Sequence, residues 1–369
     1  MSREDSNNYR QIFLSDAPMI DLRAPCEFVL GAFPTSINLP LMSDLEREKV
    51  GICYKKHGQE AAIKLGHDLV KDQNKGDKVS LWQTFANANK ENGYFYCFRG
   101  GLRSRTSQQW LSESGLDFPI IKGGYKAMRR FLIDETERLV NETEIVVVSG
   151  LTGSAKTKFL KTQNNSIDLE GLANHRGSSF GRNITPQPTQ IDFENKLAID
   201  LLKFENSSEK VLLLEDESRL IGSRSLPLSL KNKMDQSNIV MIEESFKFRV
   251  SQIYNDYVVN MMNDFEVYSQ TSSDDNKDTI SIYQEYLESS TLRIKRRLGG
   301  VGLKEMMDLI ERAIENQRKN DDLSLHKNWI IYLLKNYYDP MYEYQVGKKM
   351  ERVIFKGNTS AVSEYISTM

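Results

Sequence analysis

The sequence predicts an α/β protein with two parallel-sheet units and a mostly helical C-terminal region. Three observations carry this prediction. Short apolar strands alternate with helical segments from residue 19 onward, and the buried strand "EIVVVSG" opens a second such series at residue 144. From residue 246 onward, apolar residues recur at helical spacing. We place the units at residues 1–137, 138–245 and 246–369, with "RVIFKG" as a candidate strand returning to the second sheet.

Composition narrows the class of protein. The chain has 369 residues, which is too long for one typical core, and its 39% hydrophobic and 27% charged residues are those of a soluble globular protein. No apolar run approaches the ~20 residues that cross a bilayer, and "MSREDSNNYRQ" has no apolar signal core. Three cysteines without CxxC spacing argue against a zinc site or a disulfide framework. We therefore expect a cytoplasmic protein with no membrane partner.

In the first unit, local signals place each element. "MIDLRAP" predicts a short strand, and Ser43 with Glu46 forms a capping-box pattern before a long helix. "GYFYCF" predicts a strand that ends at Cys97, and "LRSRTSQQWLSESG" predicts a helix ended by Gly115. "FPIIKGGYKAMRRFL" then predicts a strand, a glycine turn and a helix.

The turn "CFRGGLR" places Cys97 between a strand and a helix. Its backbone amides can point inward at the sulfur, with a helix N-terminus behind them, and such a nest binds anions. Arg99 and Arg103 add positive charge that would stabilise a thiolate or a bound chalcogen anion. The two glycines would leave room for a group carried on the sulfur. A buried structural cysteine is the alternative, but the flanking arginines and glycines favour a reactive thiol.

The turn "GLTGSAKT" follows the apolar strand "IVVVS" and precedes a helix, which is the context of a phosphate-binding P-loop. Its amides would cradle a diphosphate, and a threonine hydroxyl at the helix start would hold Mg²⁺. Ala155 stands where the strict motif has a second glycine, so whether the turn binds a nucleotide stays open; we expect that residue to keep an α-region backbone. The residues expected to bind phosphate are Gly150, Gly153, Ser154, Lys156 and Thr157.

Charged segments outside the two turns supply further candidates. Glu170, within "DLEGLANHRGSSFG", and Asp216, within "VLLLEDE", are candidates for a metal ligand or a base, although Glu215 to Glu217 are equally compatible with a solvated strand end. His175 and Arg176 are candidates for binding an anion or a nucleic acid. A basic stretch is a candidate for RNA contacts, but its spacing alone favours a solvated helix face. It comprises Arg293, Lys295, Arg296 and Arg297.

Two segments resemble the rhodanese family. "DLRAPCEFVLGAFPTSINLP" is similar to the start of a rhodanese domain, and Cys97 through Arg103 is similar to the rhodanese active loop. The positions that match the start are Asp21, Arg23, Glu27, Phe28, Gly31, Pro34, Asn38 and Pro40. The resemblance implies that Cys97 carries sulfur or selenium as a persulfide or its selenium equivalent, whereas Cys26 and Cys53 are structural.

The whole chain resembles the bacterial tRNA 2-selenouridine synthases. The matching segments are the Cys97 turn, "EREKVGICYKKHGQEAAIKLG", "IKGGYKAMR", "GLTGSAKT", "DLEGLANHRGSSFG", "EDESRLIG", "RRLGG" and "YYDPMYEYQ". The resemblance implies a rhodanese-like domain joined to a P-loop domain. It implies that geranyl diphosphate alkylates a wobble 2-thiouridine of tRNA and that selenophosphate then delivers selenium. A selenophosphate-producing enzyme becomes a candidate partner, Mg²⁺ a candidate ion, and no bound organic cofactor is expected.

Two other functions remain open from the sequence. The first is a P-loop kinase or ATPase with a sulfur-carrying or sensing rhodanese domain, against which Ala155 counts mildly. The second is a non-catalytic interaction protein that uses a rhodanese fold for docking, which would be expected to lack the loop cysteine. Cys97 is present, so the sequence favours the selenium chemistry.

Overall fold

The computed structural model describes residues 3–70, 73–271 and 278–369. The chain divides into two compact units. The first comprises Met1–Val140 with Pro188–Ser208, and the second comprises Asn141–Gln187 with Glu209–Met369.

Ten strands lie in the described residues. They are β1 (Met19–Asp21), β2 (Ser36–Asn38), β3 (Tyr94–Tyr96), β4 (Glu144–Gly150), β5 (Ser166–Ile167), β6 (Val211–Glu215), β7 (Leu220–Ile221), β8 (Arg224–Ser225), β9 (Asn238–Ile242) and β10 (Val353–Gly357).

Seventeen α-helices lie in the same residues. They are α1 (Tyr9–Leu14), α2 (Pro25–Phe28), α3 (Asp44–Val70), α4 (Gln73–Ala88), α5 (Leu102–Glu113), α6 (Gly124–Glu142), α7 (Lys156–Leu160), α8 (Leu169–Leu172), α9 (Gln190–Glu205), α10 (Leu228–Met234), α11 (Phe246–Tyr254), α12 (Asn260–Thr271), α13 (Thr279–Arg293), α14 (Lys295–Asn320), α15 (His326–Leu333), α16 (Asp339–Gly347) and α17 (Thr359–Ile366).

The first unit contains a three-stranded parallel sheet in the order β2-β1-β3. The capping box before α3 forms as its sequence predicts: the Ser43 amide donates to Glu46 Oε2 at 2.7 Å, and the Glu46 amide donates to Ser43 Oγ at 3.3 Å. "FPIIKGG" makes an isolated bridge from Ile120 to Phe95 rather than a full strand before α6. The sheet and its helices place Cys97 directly after β3, at the start of a turn.

Helix α9 belongs to the first unit, although the sequence analysis placed its residues within 138–245. Its Asn195 is fully buried; the Asn195 Nδ2 donates to the Ala32 carbonyl at 2.7 Å, and its Oδ1 accepts from Arg129 at 2.9 Å. A buried amide is costly without such partners, so these bonds fix the helix against the first unit. The chain therefore enters the second unit, returns to the first for one helix, and enters the second again.

The second unit contains a five-stranded sheet in the order β10-β9-β4-β6-β5, and every neighbouring pair is parallel. The central strand β4 is almost entirely apolar and buried, as a strand covered on both faces must be. The last strand, β10, returns from the helical region and pairs with β9. Because the strands are parallel, the carboxyl ends of β4 and β6 meet at one edge, where ligands bind in such sheets.

Helices α11 to α16 pack into one apolar cluster, whereas α17 packs against the five-stranded sheet, so the helical periodicity of this region reflects core formation. Two stretches, Asn255–Val259 and Leu334–Tyr338, are single π-helical turns inside otherwise continuous helices. None of the helices in the described residues is long and apolar enough to cross a membrane.

Candidate active site

The Cys97 turn is closed against the start of α6. Cys97 is 3% exposed, and its carbonyl accepts from the Tyr125 amide at 2.9 Å. The Phe98 carbonyl accepts from the Lys126 amide, also at 2.9 Å. These two bonds hold the turn in a fixed shape, which a reactive thiol requires if its substrate is to be oriented.

Two glycines make this closure sterically feasible. Gly124 has φ +58°, and a Cβ there would lie 2.2 Å from the Cys97 carbonyl oxygen. Gly100 has φ +63°, and a Cβ there would lie 2.7 Å from the Gly123 amide nitrogen. The sequence analysis explained the glycines by the room needed around the sulfur. The structure gives Gly100 another reason, since it permits backbone contact with Gly123, while Gly101 does face open space.

The amides of the turn point to no acceptor within the described residues. In that part of the chain, the backbone N–H groups from Phe98 to Gly101 donate no hydrogen bond. Unpaired amides before a helix form an anion-binding concavity. The structure is therefore consistent with the predicted nest next to Cys97.

The two arginines of the turn differ. Arg103 donates to both carboxylate oxygens of Glu27, at 2.6 and 3.3 Å, and Glu27 also lies 3.3 Å from Arg47. Arg99 is exposed, and its one described side-chain contact is with the Phe98 ring. Arg99 is thus the exposed cation of the turn, whereas Arg103 is bound to Glu27 at the start of α5.

A buried ion pair supports the turn from beneath. Arg23 is 2% exposed and Asp21 is fully buried; the Arg23 Nη2 donates to Asp21 Oδ2 at 2.7 Å. The Arg23 guanidinium lies 3.8 Å from the centre of the Tyr125 ring. Because Tyr125 donates to the Cys97 carbonyl, this pair links "DLR" at the end of β1 to the position of the cysteine.

In the second unit, the predicted phosphate-binding turn joins β4 to α7. Gly150 and Gly153 have φ of +154° and +84°, and Ala155 has φ +61° and ψ +28°. Ala155 therefore adopts the left-handed α conformation rather than the right-handed one, which explains why the strict motif has glycine here. The Ser154 hydroxyl is buried with no partner in the described residues. The Lys156 ammonium donates to the Gly150 carbonyl at 2.9 Å.

Three glutamates face the start of α7. Thr157 Oγ1 donates to Glu170 Oε2 at 2.9 Å, and the Glu170 amide donates to Glu215 Oε2 at 3.2 Å. Glu217 lies beside Glu170, since a Cβ on Gly177 would be 2.5 Å from one carboxylate and 2.6 Å from the other. The acidic cluster, Glu170 with Glu215 and Glu217, thus lies within reach of Thr157.

The three carboxyl groups perturb one another. Burial and the charge of Glu170 raise the pKa of Glu215 to about 8. Burial, followed by the charges of Glu170 and Glu215, raises the pKa of Glu217 well above its usual range. Burial also raises the pKa of Glu170. Like charges in a confined site favour either bound protons or a bound cation.

Asp216 has polar partners outside this cluster. Ser149 donates to Asp216 Oδ2 at 2.7 Å, and the Lys349 ammonium lies 2.6 Å from Oδ1. Burial raises the pKa of Asp216, but Lys349 and Ser149 outweigh it and the pKa lies below its usual value. Of the two acids that the sequence proposed as ligand or base, Glu170 lies beside Thr157, and Asp216 is held in an ion pair with Lys349.

The acidic cluster supplies oxygen atoms of the kind that Mg²⁺ binds. In residues 3–70, 73–271 and 278–369, no group of three or more His, Cys, Asp or Glu side chains has metal-binding geometry. Mg²⁺ at phosphate sites usually takes one or two carboxylates and completes its shell with water and substrate oxygens. Thr157, Glu170 and the unpartnered Glu215 Oε1 fit that kind of site.

The segment His175 to Arg182 forms a closed hairpin next to the acidic cluster. His175 and Arg182 form an antiparallel bridge, and the Arg176 amide donates to the Gly181 carbonyl at 2.8 Å. The Arg176 side chain donates to the Asp256 carbonyl and lies over the Tyr257 ring. Arg176 therefore links the hairpin to the helical region through Asp256 and Tyr257.

His175, Arg182 and Arg293 form a second, basic cluster. Burial and the charges of Arg293 and Arg182 lower the pKa of His175. Burial and the charge of Arg182 also lower the pKa of Arg293. The predicted basic residues that follow, Lys295 to Arg297, are exposed at the kink between α13 and α14. An exposed group of repelling cations is suited to binding phosphate.

Sequence reasoning missed several residues of these sites. Arg182 and Lys349 carried no motif of their own, and Glu27 was named only as a position of the rhodanese resemblance, because each acts through a partner that is distant in sequence. Glu215 and Glu217 could have been preferred to Asp216, since alternate residues at a strand end point to the same side. The aromatic residues around the hairpin carried only a helical period, which predicts core.

A family model and several curated relatives that match this chain carry the name of one family. Residues 143–369 match the family model described as the tRNA 2-selenouridine synthase AAA domain. The chain is similar to a tRNA 2-selenouridine synthase of Pseudomonas syringae pv. syringae, with 49% identity over 98% of each chain. It is 50% identical to that of Pseudomonas syringae pv. tomato, over 99% of this chain and 98% of the relative. For that of Azotobacter vinelandii the values are 48%, 99% and 97%.

Proposed function

The chain belongs to the family of tRNA 2-selenouridine synthases, which are tRNA-modifying enzymes, and on this premise we propose that it works in two steps at two anion sites. In the first step, geranyl diphosphate alkylates the sulfur of a wobble 2-thiouridine. In the second, selenophosphate replaces the alkylated sulfur with selenium. The observation that supports the proposal is that one chain contains two glycine turns with opposite electrostatic surroundings. The turn at Cys97 has unpaired amides and arginines, and the turn at Lys156 faces carboxylates.

The first step belongs to the Lys156 turn. The thiocarbonyl sulfur attacks C1 of geranyl diphosphate, a C–S bond forms, the C–O bond breaks, diphosphate leaves, and the N3 proton of the uridine is released to solvent. Departure of diphosphate requires stabilisation of negative charge. Lys156 and the turn amides would hold the diphosphate, and Thr157 with Glu170 would hold Mg²⁺ against its oxygens. The supporting geometry is the 2.9 Å contact between Thr157 and Glu170.

The second step belongs to the Cys97 turn. A selenium nucleophile derived from selenophosphate adds at C2 of the alkylated uridine, geranylthiol leaves, and water removes the phosphoryl group as phosphate. Alkylation makes this exchange feasible, because a thiolate departs more readily than a thiocarbonyl sulfur. Cys97 would position selenophosphate, and the unpaired amides with Arg99 would bind the anion. The rhodanese-like character of this unit is part of the proposal.

The tRNA backbone is proposed to bind the basic surface of the second unit. Arg182, Arg293 and the residues from Lys295 to Arg297 supply cations that can neutralise phosphates. Such contacts position the RNA without reading its sequence. We expect binding to weaken steeply as salt concentration rises.

Reconstitution with purified components tests the proposal. tRNA that contains 2-thiouridine is incubated with geranyl diphosphate alone, or with geranyl diphosphate and selenophosphate, and its nucleosides are analysed by mass spectrometry. We expect S-geranyl-2-thiouridine in the first case and 2-selenouridine in the second. Absence of both nucleosides contradicts the proposal. Nucleotide hydrolysis without tRNA would instead favour a P-loop kinase or ATPase.

A further inference from the structure

Helix α3 contains the segment "EREKVGICYKKHGQEAAIKLG", to which the proposed function gives no role. It is not one straight helix, because Gly58 interrupts it with φ +82° and ψ −175°. In a straight helix Val50 and Gly66 would lie about 24 Å apart, at 1.5 Å per residue. A Cβ on Gly66 would instead lie 3.7 Å from Val50 Cγ2. Residues 44–57 and 59–70 are therefore two antiparallel arms, which we call the α3 hairpin.

The tip of the α3 hairpin is exposed. The core cluster of the first unit includes Leu41, before the α3 hairpin, and Val70, at its end. It includes none of residues 43–69, all of which the structure describes. Every residue from 54 to 60 is exposed, and Tyr54 is 58% exposed. The tip is thus held by the two arms and is open to contact with another molecule.

The α3 hairpin is basic in a chain that is slightly acidic. Between Lys49 and His67 there are four lysines and two histidines against one glutamate, whereas the whole chain has a net charge of −2. In the part of the chain that the structure describes, the ammonium groups of these lysines have neither an ion pair nor a hydrogen bond. Lys55 and Lys56 directly follow Tyr54, so the tip combines an exposed aromatic ring with two unpaired cations.

The base of the α3 hairpin is connected to the Cys97 turn. Its first arm contributes Arg47, which lies 3.3 Å from Glu27 Oε2, and the same oxygen accepts from Arg103 at 2.6 Å. Arg103 belongs to α5, the helix that follows the Cys97 turn. The arm from Arg47 to Gly58 is about 16 Å long at 1.5 Å per residue. A macromolecule bound at the tip can therefore also reach the Cys97 turn.

We propose that the tip of the α3 hairpin binds the single-stranded anticodon loop of the tRNA, with a base stacked on Tyr54 and phosphates paired with Lys55 and Lys56. The inference rests on the proposed function and adds an RNA contact in the first unit. An exposed tyrosine suits an RNA loop, because the bases of a loop are unstacked and those of a duplex offer no free face. The two lysines complement the phosphate charge, and the wobble base stays free to lie at the Cys97 turn.

Binding of a labelled anticodon stem–loop RNA to the whole chain, measured by fluorescence anisotropy, tests the stacking contact. Tyr54→Ala should weaken binding by about 5-fold or more, which is the usual effect of losing one stacked base. Tyr54→Phe keeps the ring and should bind as the wild type does. A duplex of the stem alone should bind equally to the wild type and to Tyr54→Ala. Wild-type affinity of Tyr54→Ala for the stem–loop, or an equal loss on the duplex, overturns the proposal.

The salt dependence of the same binding tests the lysines. Each phosphate contact on a single strand contributes about 0.7 to the slope of log Kd against log salt concentration. The double variant Lys55→Ala/Lys56→Ala should therefore lower that slope by about 1.4. Lys90→Ala, an exposed lysine outside the α3 hairpin, should leave it unchanged. A wild-type slope in the double variant overturns the phosphate contacts.

Binding and turnover distinguish this proposal from the proposed function. The stem–loop measurements need neither geranyl diphosphate nor selenophosphate, so they decide the contact whether or not a nucleoside is modified. If the wild type modifies tRNA and Tyr54→Ala binds the stem–loop as the wild type does, the contact is wrong and the proposed function stands. If Tyr54→Ala loses stem–loop binding but the wild type forms neither modified nucleoside, the contact stands and the proposed function fails.

Discussion

The Cys97 turn and the Lys156 turn have the same order of strand, turn and helix but opposite electrostatic surroundings. Each follows a buried parallel strand, contains residues with positive φ and precedes a helix. Around Cys97 the groups without a partner in the described residues are the turn amides, Arg99 is exposed, and the Glu27 carboxylate is bound by Arg103. Facing Lys156 are three glutamates whose pKa values are all raised.

This difference indicates which anion each turn can accept. A turn with only amides and arginine stabilises an anion by itself, which suits selenophosphate. A turn that faces several carboxylates repels a bare anion, so its ligand must arrive with a cation or with protons. A diphosphate with Mg²⁺ meets that requirement.

The largest effect is expected from Lys156→Met. Loss of the ammonium should lower geranyl transfer by about 100-fold or more, since it removes stabilisation of the leaving diphosphate. Selenation of tRNA that already carries S-geranyl-2-thiouridine should be unchanged, because that step uses the other turn. Equal loss in both assays would contradict the separation of the two sites. Lys158→Met, an exposed lysine on the same helix, is the control.

The next effect is expected from Gly124→Ala. A methyl group there meets the Cys97 carbonyl, so the turn must shift and selenation should fall by about 10-fold or more. Geranyl transfer should be retained, which distinguishes a displaced turn from an unfolded protein. Gly51→Ala is the matched control, because Gly51 lies in α3 with open space around it. If selenation by Gly124→Ala equals that of the control, the closure of the turn has no role.

Glu170→Gln tests the electrostatics of the second turn. Removing one carboxylate should raise the Mg²⁺ concentration needed for half-maximal geranyl transfer by about 10-fold. Titration of the initial rate with MgCl₂ measures the change. Glu351→Gln, an exposed carboxylate, should leave the titration unchanged. An unaltered midpoint for Glu170→Gln would remove Glu170 from the ion site.

The smallest effect is expected from Ala155→Gly. Ala155 has a left-handed backbone, which costs a non-glycine residue about 1 kcal/mol, and glycine would relieve part of this strain. The free energy of unfolding from urea titration should rise by about 0.5 kcal/mol, with geranyl transfer equal to or above that of the wild type. A decrease in stability would contradict the strain at this position.

Local sequence patterns predicted much of this arrangement, whereas contacts between residues that are far apart in the chain could not be predicted. The α/β class with parallel sheets is confirmed. It could be predicted because apolar strands, glycine turns and the Ser43 cap can each be recognised from a few neighbouring residues. Sequence order assigned the residues of helix α9 to the unit at 138–245. The groups that bond to its Asn195 lie 66 and 163 residues away in the chain, so no local pattern could indicate them. The pairing of Arg103 with Glu27 was not predicted for the same reason, because these residues lie 76 positions apart.

The C-terminal helices show a different limit of the sequence. Trp329 and Leu333 have the spacing of core residues, and both lie in the core cluster with very little exposure. Periodicity indicates which face of a helix is buried, but not which residues it packs against. The π-helical turns of this region carry no sequence signal comparable to a cap or a glycine turn.

The most direct test of the two-site account is Cys97→Ser supplied with both geranyl diphosphate and selenophosphate. The account predicts that S-geranyl-2-thiouridine accumulates in the tRNA and that 2-selenouridine is absent, as measured by mass spectrometry of the nucleosides. Formation of 2-selenouridine at the wild-type rate would contradict the role of the Cys97 turn. Loss of the geranylated nucleoside as well would contradict the division of the two steps between two turns.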